Sequence, residues 1–139
     1  LPIIPKDRLV EILTGADIFI SNDYELEMVN KTTEMDKKTI LNRVNTALIT
    51  TFGDKGSMVS TFEENIRIPA ADATRVIDPT GAGDAYRAGL LKGIATEKGL
   101  TDAARMGATC ASYAVEYQGT QEHHFSEIQF WKRHQNFFG

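Results

Sequence analysis

The sequence predicts an α/β fold with a largely parallel sheet, and three observations carry that reading. Two short apolar runs, ADIFIS (16–21) and NTALITTF (45–52), lack polar alternation and read as buried strands. Longer segments of helical period alternate with them, from KDRLVEIL near the start to AGDAYRAGLLKGIATEK (82–98). The stretches NDYE, TFGDKG and DPTGAGD fall after strand segments, and in open α/β sheets ligands bind beyond the carboxyl ends of the strands.

Taken in order, Pro5 opens a short helix over KDRLVEIL and Gly15 closes it. The run 16–21 is the first strand, and NDYELEMV (22–29) reads as a loop leading into a helical turn. TEMDKKTILNRV (33–44) is a polar-faced helix, followed by the second strand, whose β-branched residues suit a sheet. GDKG (53–56) is a hairpin-like turn; SMVSTF and NIRIPA, around EEN, are two further strands of antiparallel character. TRVID (74–78) is expected to be a strand ending at DPTGAGD (78–84). Helix 82–98 is stopped by Gly99. TDAARMGATCASYAVEY (101–117) is expected to be capped by Thr101 and to end near Gly119. SEIQFWKRHQNFF (126–138) is capped by Ser126, and Phe125, Phe130, Trp131, Phe137 and Phe138 are expected to dock it on the sheet.

The 139 residues are 42% hydrophobic and 24% charged, which suits one globular domain with a real core. A net charge of -4 with no basic stripe argues against nucleic acid as a partner. No apolar run approaches bilayer length, so no membrane partner is expected. The start, LPIIPKDRL, has neither an initiator Met nor the pattern of a secretory signal, which reads as a cut or processed end. The single cysteine, Cys110, cannot form an internal disulfide, and a cytoplasmic location follows. Small neighbours at helical spacing give it a packing role.

In GAGD, Gly81 and Gly83 remove two Cβ atoms where a helix begins. Free backbone N–H groups and the helix dipole there can hold an oxyanion, and Asp84 beside them can accept a proton from an attacking hydroxyl. A β-branched residue at Gly83 would crowd those donors and disfavour any positive φ. The alternative is an ordinary turn with Asp84 at a helix start. TFGDKG offers Thr51, Gly53 and Gly56 either to a nucleotide or to a simple hairpin turn. Asn22 and Glu25 are spaced either to hold magnesium-bound water near phosphates or to form a capping box. The small-residue helix MGATCASYA (106–114) is either close-packed core or a wall against a flat ring. His123, His124 and His134 show no zinc spacing and read as surface residues, and no G-x-S-x-G is present.

The set in order resembles the ribokinase/PfkB carbohydrate and nucleoside kinases. DPTGAGDAYRAG is similar to that family's D-T-x-G-A-G-D signature, with Pro79 where Thr is frequent. NDYE resembles its N-x-x-E element, TFGDKG its T-x-G-x-x-G element, and EYQGTQE (116–122) its G-A/T-Q stretch. The DPTGAGDAYRAG and GTQE spellings look most like bacterial adenosine kinases. The resemblance implies a three-layer αβα, mostly parallel, ribokinase-like fold. It implies ATP-dependent phosphorylation of a hydroxyl on a small-molecule sugar or nucleoside, with Mg2+ as the required ion, K+ as an optional one, and room for a homodimer. By resemblance Asp84 is the proton acceptor and Gly81, Ala82 and Gly83 form the anion hole. Thr51, Gly53 and Gly56 border the nucleotide, with Gly107 and Ala111 toward adenine. Asn22 and Glu25 organise magnesium and phosphates. Asp78, Thr80 and Gly119 fall near a monovalent-cation site. The resemblance covers nearly the whole chain but only the C-terminal part of the family fold, whose members run to about twice this length. The chain is therefore expected to be the nucleotide half of a single larger kinase domain, inactive alone. The alternative is a nucleotide-binding or interaction fragment that never turns over.

Overall fold

In the computed structural model, which describes residues 3–119 and 124–139, the two apolar runs become β1 (Ile18–Asn22) and β2 (Ala47–Thr51). They pair in parallel, in register from Ile18 opposite Ala47 to Asn22 opposite Thr51. Two helices fill the crossover between them, α2 (Asp23–Thr33) and α3 (Lys37–Arg43), with α1 (Lys6–Gly15) before β1. The strand order is β1-β2-β3-β4, with β3 at Ser57–Ser60 and β4 at Asn65–Ile68. As expected, β3 and β4 form a hairpin, in which Thr61 N–H donates to the Glu64 carbonyl at 2.9 Å. The architecture is the α/β arrangement with a parallel strand pair that the sequence predicts.

The chain divides into two compact units, Leu1–Phe52 with Met58–Arg67, and Gly53–Ser57 with Ile68–Gly139. In the first, the helices lay apolar stripes on β2. Leu9, Leu13, Val29, Ile40, Val44 and Leu48 form one buried cluster. β2 is fully buried at Ala47, Leu48 and Ile49, which is why it reads as an unbroken apolar run.

The first unit differs from expectation at residues 22–36. Residues 23–33 are a full helix rather than a loop, because Asn22 caps its start and Leu26 and Val29 give it an inward stripe. The expected helix 33–44 is shorter. Glu34, at φ 59, ends α2, and Asp36 starts α3 by accepting from Thr39 N–H at 2.8 Å.

The second unit is built on α4 (Ala82–Ala95), α5 (Leu100–Ala114) and α6 (Glu127–Phe138). α4 and α5 meet backbone to backbone. A Cβ at Gly89 would lie 2.6 Å from the Met106 carbonyl oxygen, and one at Gly93 2.6 Å from Ala103 Cα. The cap of α5 is Gly99, without a side-chain bond, and not Thr101. α6 begins at a capping box of Ser126 and Gln129. It docks on α5. The Tyr113 hydroxyl donates to the Gln129 carbonyl at 2.9 Å, and Arg133 lies 3.6 Å from the Tyr113 ring. The same Arg133 pairs at 2.7 Å with Glu116, which is buried.

Residues 74–78 are not a strand. Ile77 and Asp78 donate their N–H groups to the Val115 carbonyl at 2.7 and 3.1 Å, and Thr74 donates to Glu116 Oε1 at 2.8 Å. The end of α5 has taken the backbone donors that a strand neighbour would need. Val76 and Ile77 stand 72% and 51% exposed. Among the described residues no helix is long and apolar enough to cross a membrane.

Candidate functional site

DPTGAGD turns into α4 through Gly81, whose φ of 87° lies in the left-handed region that favours glycine. No side chain caps this helix. Ala82 N–H donates to the Pro79 carbonyl at 3.2 Å, and Ala85 N–H to the Gly81 carbonyl at 3.0 Å. The N–H groups of Gly83 and Asp84 between them have no hydrogen-bond partner among the described residues. Both residues are exposed. Two such donors at the positive end of a helix have the electrostatic character that an anion cradle needs. The positive φ lies at Gly81 and not at Gly83, which is helical and has room for a Cβ, 3.4 Å from Arg87 Nη1.

The Asp84 side chain is 81% exposed. Arg87 Nη1 donates to its Oδ1 at 3.2 Å from one turn further along α4. The sequence reading missed Arg87; its signal was the (i, i+3) spacing of opposite charges in GDAYR.

Asp78, Thr80 and Gly119 come together in the second unit. The Asp78 carboxylate accepts from Gly119 N–H at 3.0 Å and from Thr80 N–H at 2.9 Å. The Gly119 bond, followed by those from Thr80, holds its carboxyl below the usual aspartate range. This carboxylate staples the approach to α4 onto the segment after α5. The rest of the GTQ element, residues 120–122, lies outside the described residues, as does His123.

Residues Gly53–Lys55 form one 3₁₀ turn, closed by Gly56 N–H donating to the Gly53 carbonyl at 3.2 Å. Gly56, at φ 88, is buried against the backbone of Ile68, Pro69 and Ala70, where no other side chain fits. Gly53 is exposed. In the first unit, Thr51 and Asn22 are register partners at the carboxyl ends of β2 and β1. Asn22 Oδ1 accepts from Glu25 N–H at 2.7 Å, and Glu25 Oε2 accepts from Asn22 N–H at 3.1 Å. This capping box is the helix-start reading of NDYE. Among the described residues no group of three His, Cys, Asp or Glu side chains is placed to hold a metal ion.

Gly107 lies in the α4–α5 crossing. A Cβ there would be 2.8 Å from the Tyr86 carbonyl oxygen and 3.2 Å from its ring. Its glycine is required by helix packing, while Ala111, half-buried one turn on, is the more accessible of the two. Cys110 packs in the same helix, and burial pushes its thiol up to about 11, away from the thiolate form. His134 is not a surface residue. It is half-buried, with Nδ1 at 2.9 Å from Thr109 Oγ1, and burial lowers its pKa.

Residues 1–126 match the model of the pfkB family carbohydrate kinases. A nucleoside kinase of Methanocaldococcus jannaschii is 40% identical over 121 residues, 87% of this chain and 40% of that protein. The crystal structure of the nucleoside kinase from that organism, described as an archaeal member of the ribokinase family, superposes at a TM-score of 0.90 and 35% identity. It covers 96% of this chain and 44% of that one. The Burkholderia thailandensis nucleoside kinase in complex with ADP-inosine superposes at 0.93 and 34% identity, over 99% of this chain and 43% of that one. The chain thus spans less than half the length of the relatives it matches.

Proposed function

The chain belongs to the pfkB family of carbohydrate kinases, and on that footing we propose that it is the nucleotide-binding and catalytic portion of an ATP-dependent phosphotransferase. The acceptor is a nucleoside hydroxyl. The observation that carries this is the pair of unbonded N–H groups of Gly83 and Asp84 beside the exposed Asp84 carboxylate. Relatives at 34–40% identity that are named nucleoside kinases support nucleoside over sugar. An adenosine preference rests on the spelling of DPTGAGDAYRAG and GTQE alone.

In this reading Asp84 takes the proton of the acceptor hydroxyl as its oxygen attacks the terminal phosphorus of ATP, the bond from that phosphorus to the bridging oxygen breaks, and ADP leaves. The N–H groups of Gly83 and Asp84 stabilise the charge on the peripheral oxygens, with Gly81 setting their direction. Arg87 holds the carboxylate until the acceptor arrives. Gly53 and Gly56 border the nucleotide together with Thr51, and Ala111 lies toward the base. Asn22 and Glu25 orient water around magnesium, which neutralises phosphate charge when bound. Asp78 works mainly as the staple for Thr80 and Gly119; a potassium ion there would share a carboxylate already engaged twice. We place this activity in the cytoplasm, where ATP is supplied.

The test is ADP formation by the protein at its full natural length, with ATP, magnesium and a panel of nucleosides and sugars. Nucleoside-dependent turnover that Asp84→Asn abolishes is the expected result; no turnover with any nucleoside or sugar overturns the reading.

A further inference from the structure

Tyr86 lies two residues past Asp84, on the opposite side of the first turns of α4, and is buried. Its hydroxyl is 2.7 Å from Ser57 Oγ, and Ser57 is 1% exposed. Ser57 directly follows Gly56, which ends the 53–56 turn. The other side of Tyr86 is closed by Gly107 of α5, whose missing Cβ leaves room for the ring. Three separate stretches, the 53–56 turn, the first turns of α4 and the middle of α5, therefore converge on one phenol. A phenylalanine would fill the same space, so the hydroxyl itself calls for an explanation. Burial raises its pKa, so it remains a protonated partner for Ser57 throughout the physiological range.

We propose that Tyr86 is a positioning residue: through its hydrogen bond to Ser57 it fixes the turn that borders the nucleotide relative to the α4 donors and Asp84. This rests on the kinase reading above. Phosphoryl transfer depends mainly on placing donor, acceptor and charge-stabilising groups, so a small slip between these two elements lowers the rate. Neither Tyr86 nor Ser57 touches the reacting atoms; each acts through the elements it joins.

The experiment uses the protein at its full natural length with ATP and its best nucleoside, and compares wild type, Tyr86→Phe, Ser57→Ala and the double variant. Rates are divided by the fraction of protein that binds ADP. Each single variant is expected to lose roughly tenfold in kcat, the worth of one hydrogen bond, with KM for the nucleoside within about twofold. The double variant is the discriminating case. Removing both hydroxyls leaves no buried group without a partner, so thermal stability returns toward wild type. Its kcat is nevertheless expected to stay as low as in the single variants. A double variant that regains kcat along with stability shows a structural role only and overturns the proposal, as does Tyr86→Phe at the parental kcat. A wild type that forms no ADP with any nucleoside or sugar overturns the kinase reading and this one together.

Discussion

Arg87 holds the Asp84 carboxylate from one helical turn away, Nη1 to Oδ1 at 3.2 Å. The pair is solvent-facing, and exposed ion pairs contribute only about 0–1 kcal/mol to stability. In the proposed kinase reading its value is in aim, since the contact limits the rotation of the carboxylate. Arg87→Ala is therefore expected to leave the melting temperature nearly unchanged and to lower turnover by roughly tenfold or less, read by steady-state kinetics.

Asp84→Asn keeps the shape of the side chain and removes the proton acceptor. Turnover is expected to fall on the order of 10²–10⁴-fold, the usual worth of a general base, while ADP affinity by calorimetry stays within a few-fold. Turnover within threefold of the parent would remove Asp84 from that role.

The two glycines of the cradle are expected to behave differently. At Gly81, φ is 87°, so Gly81→Ala forces a left-handed residue and costs roughly 1–2 kcal/mol in urea unfolding. At Gly83 the backbone is helical and a Cβ has room, so Gly83→Ala is expected to fold at least as stably. Its methyl group would nevertheless crowd the free donors and weaken ADP binding. Equal stability losses at both positions would contradict the assignment of the strained conformation to Gly81 alone.

Asp78 gives a pH-dependent prediction. Its folded pKa is depressed, by the bond from Gly119 N–H first and those from Thr80 next. A depressed carboxylate contributes stability that is present above its unfolded value and lost as pH falls through the folded one. The stability difference between wild type and Asp78→Asn is therefore expected to be largest at neutral pH. It should shrink as pH drops below the usual aspartate range, measured by urea unfolding across that series. A difference that grows on acidification would reverse the sign and refute the staple.

The 139-residue chain expressed by itself is expected to bind ADP without nucleoside-dependent turnover. Val76 and Ile77, 72% and 51% exposed, give it an apolar surface that favours self-association. ADP formation at the level of an ordinary kinase, from a monomer by gel filtration, would refute this.

The sequence by itself determined the two parallel strands, of which β2 is the more deeply buried, the hairpin after Gly56, the three later helices and the place of the GAGD turn. Each of these depends on near neighbours in the chain: an apolar run, a cap such as Ser126, or a glycine at a turn. Tertiary structure alone decided that residues 74–78 are not a strand, because Val115 and Glu116, far along the chain, hold their N–H groups. It also decided that α6 docks on α5 through Arg133 and Tyr113, and that Gly107 serves the α4–α5 crossing. The hydroxyl of Tyr86 is the same case, since its partner Ser57 lies 29 positions away. Local pattern encodes what a segment prefers to be; which segment satisfies its remaining hydrogen bonds and fills its remaining space depends on partners that only the folded chain brings near.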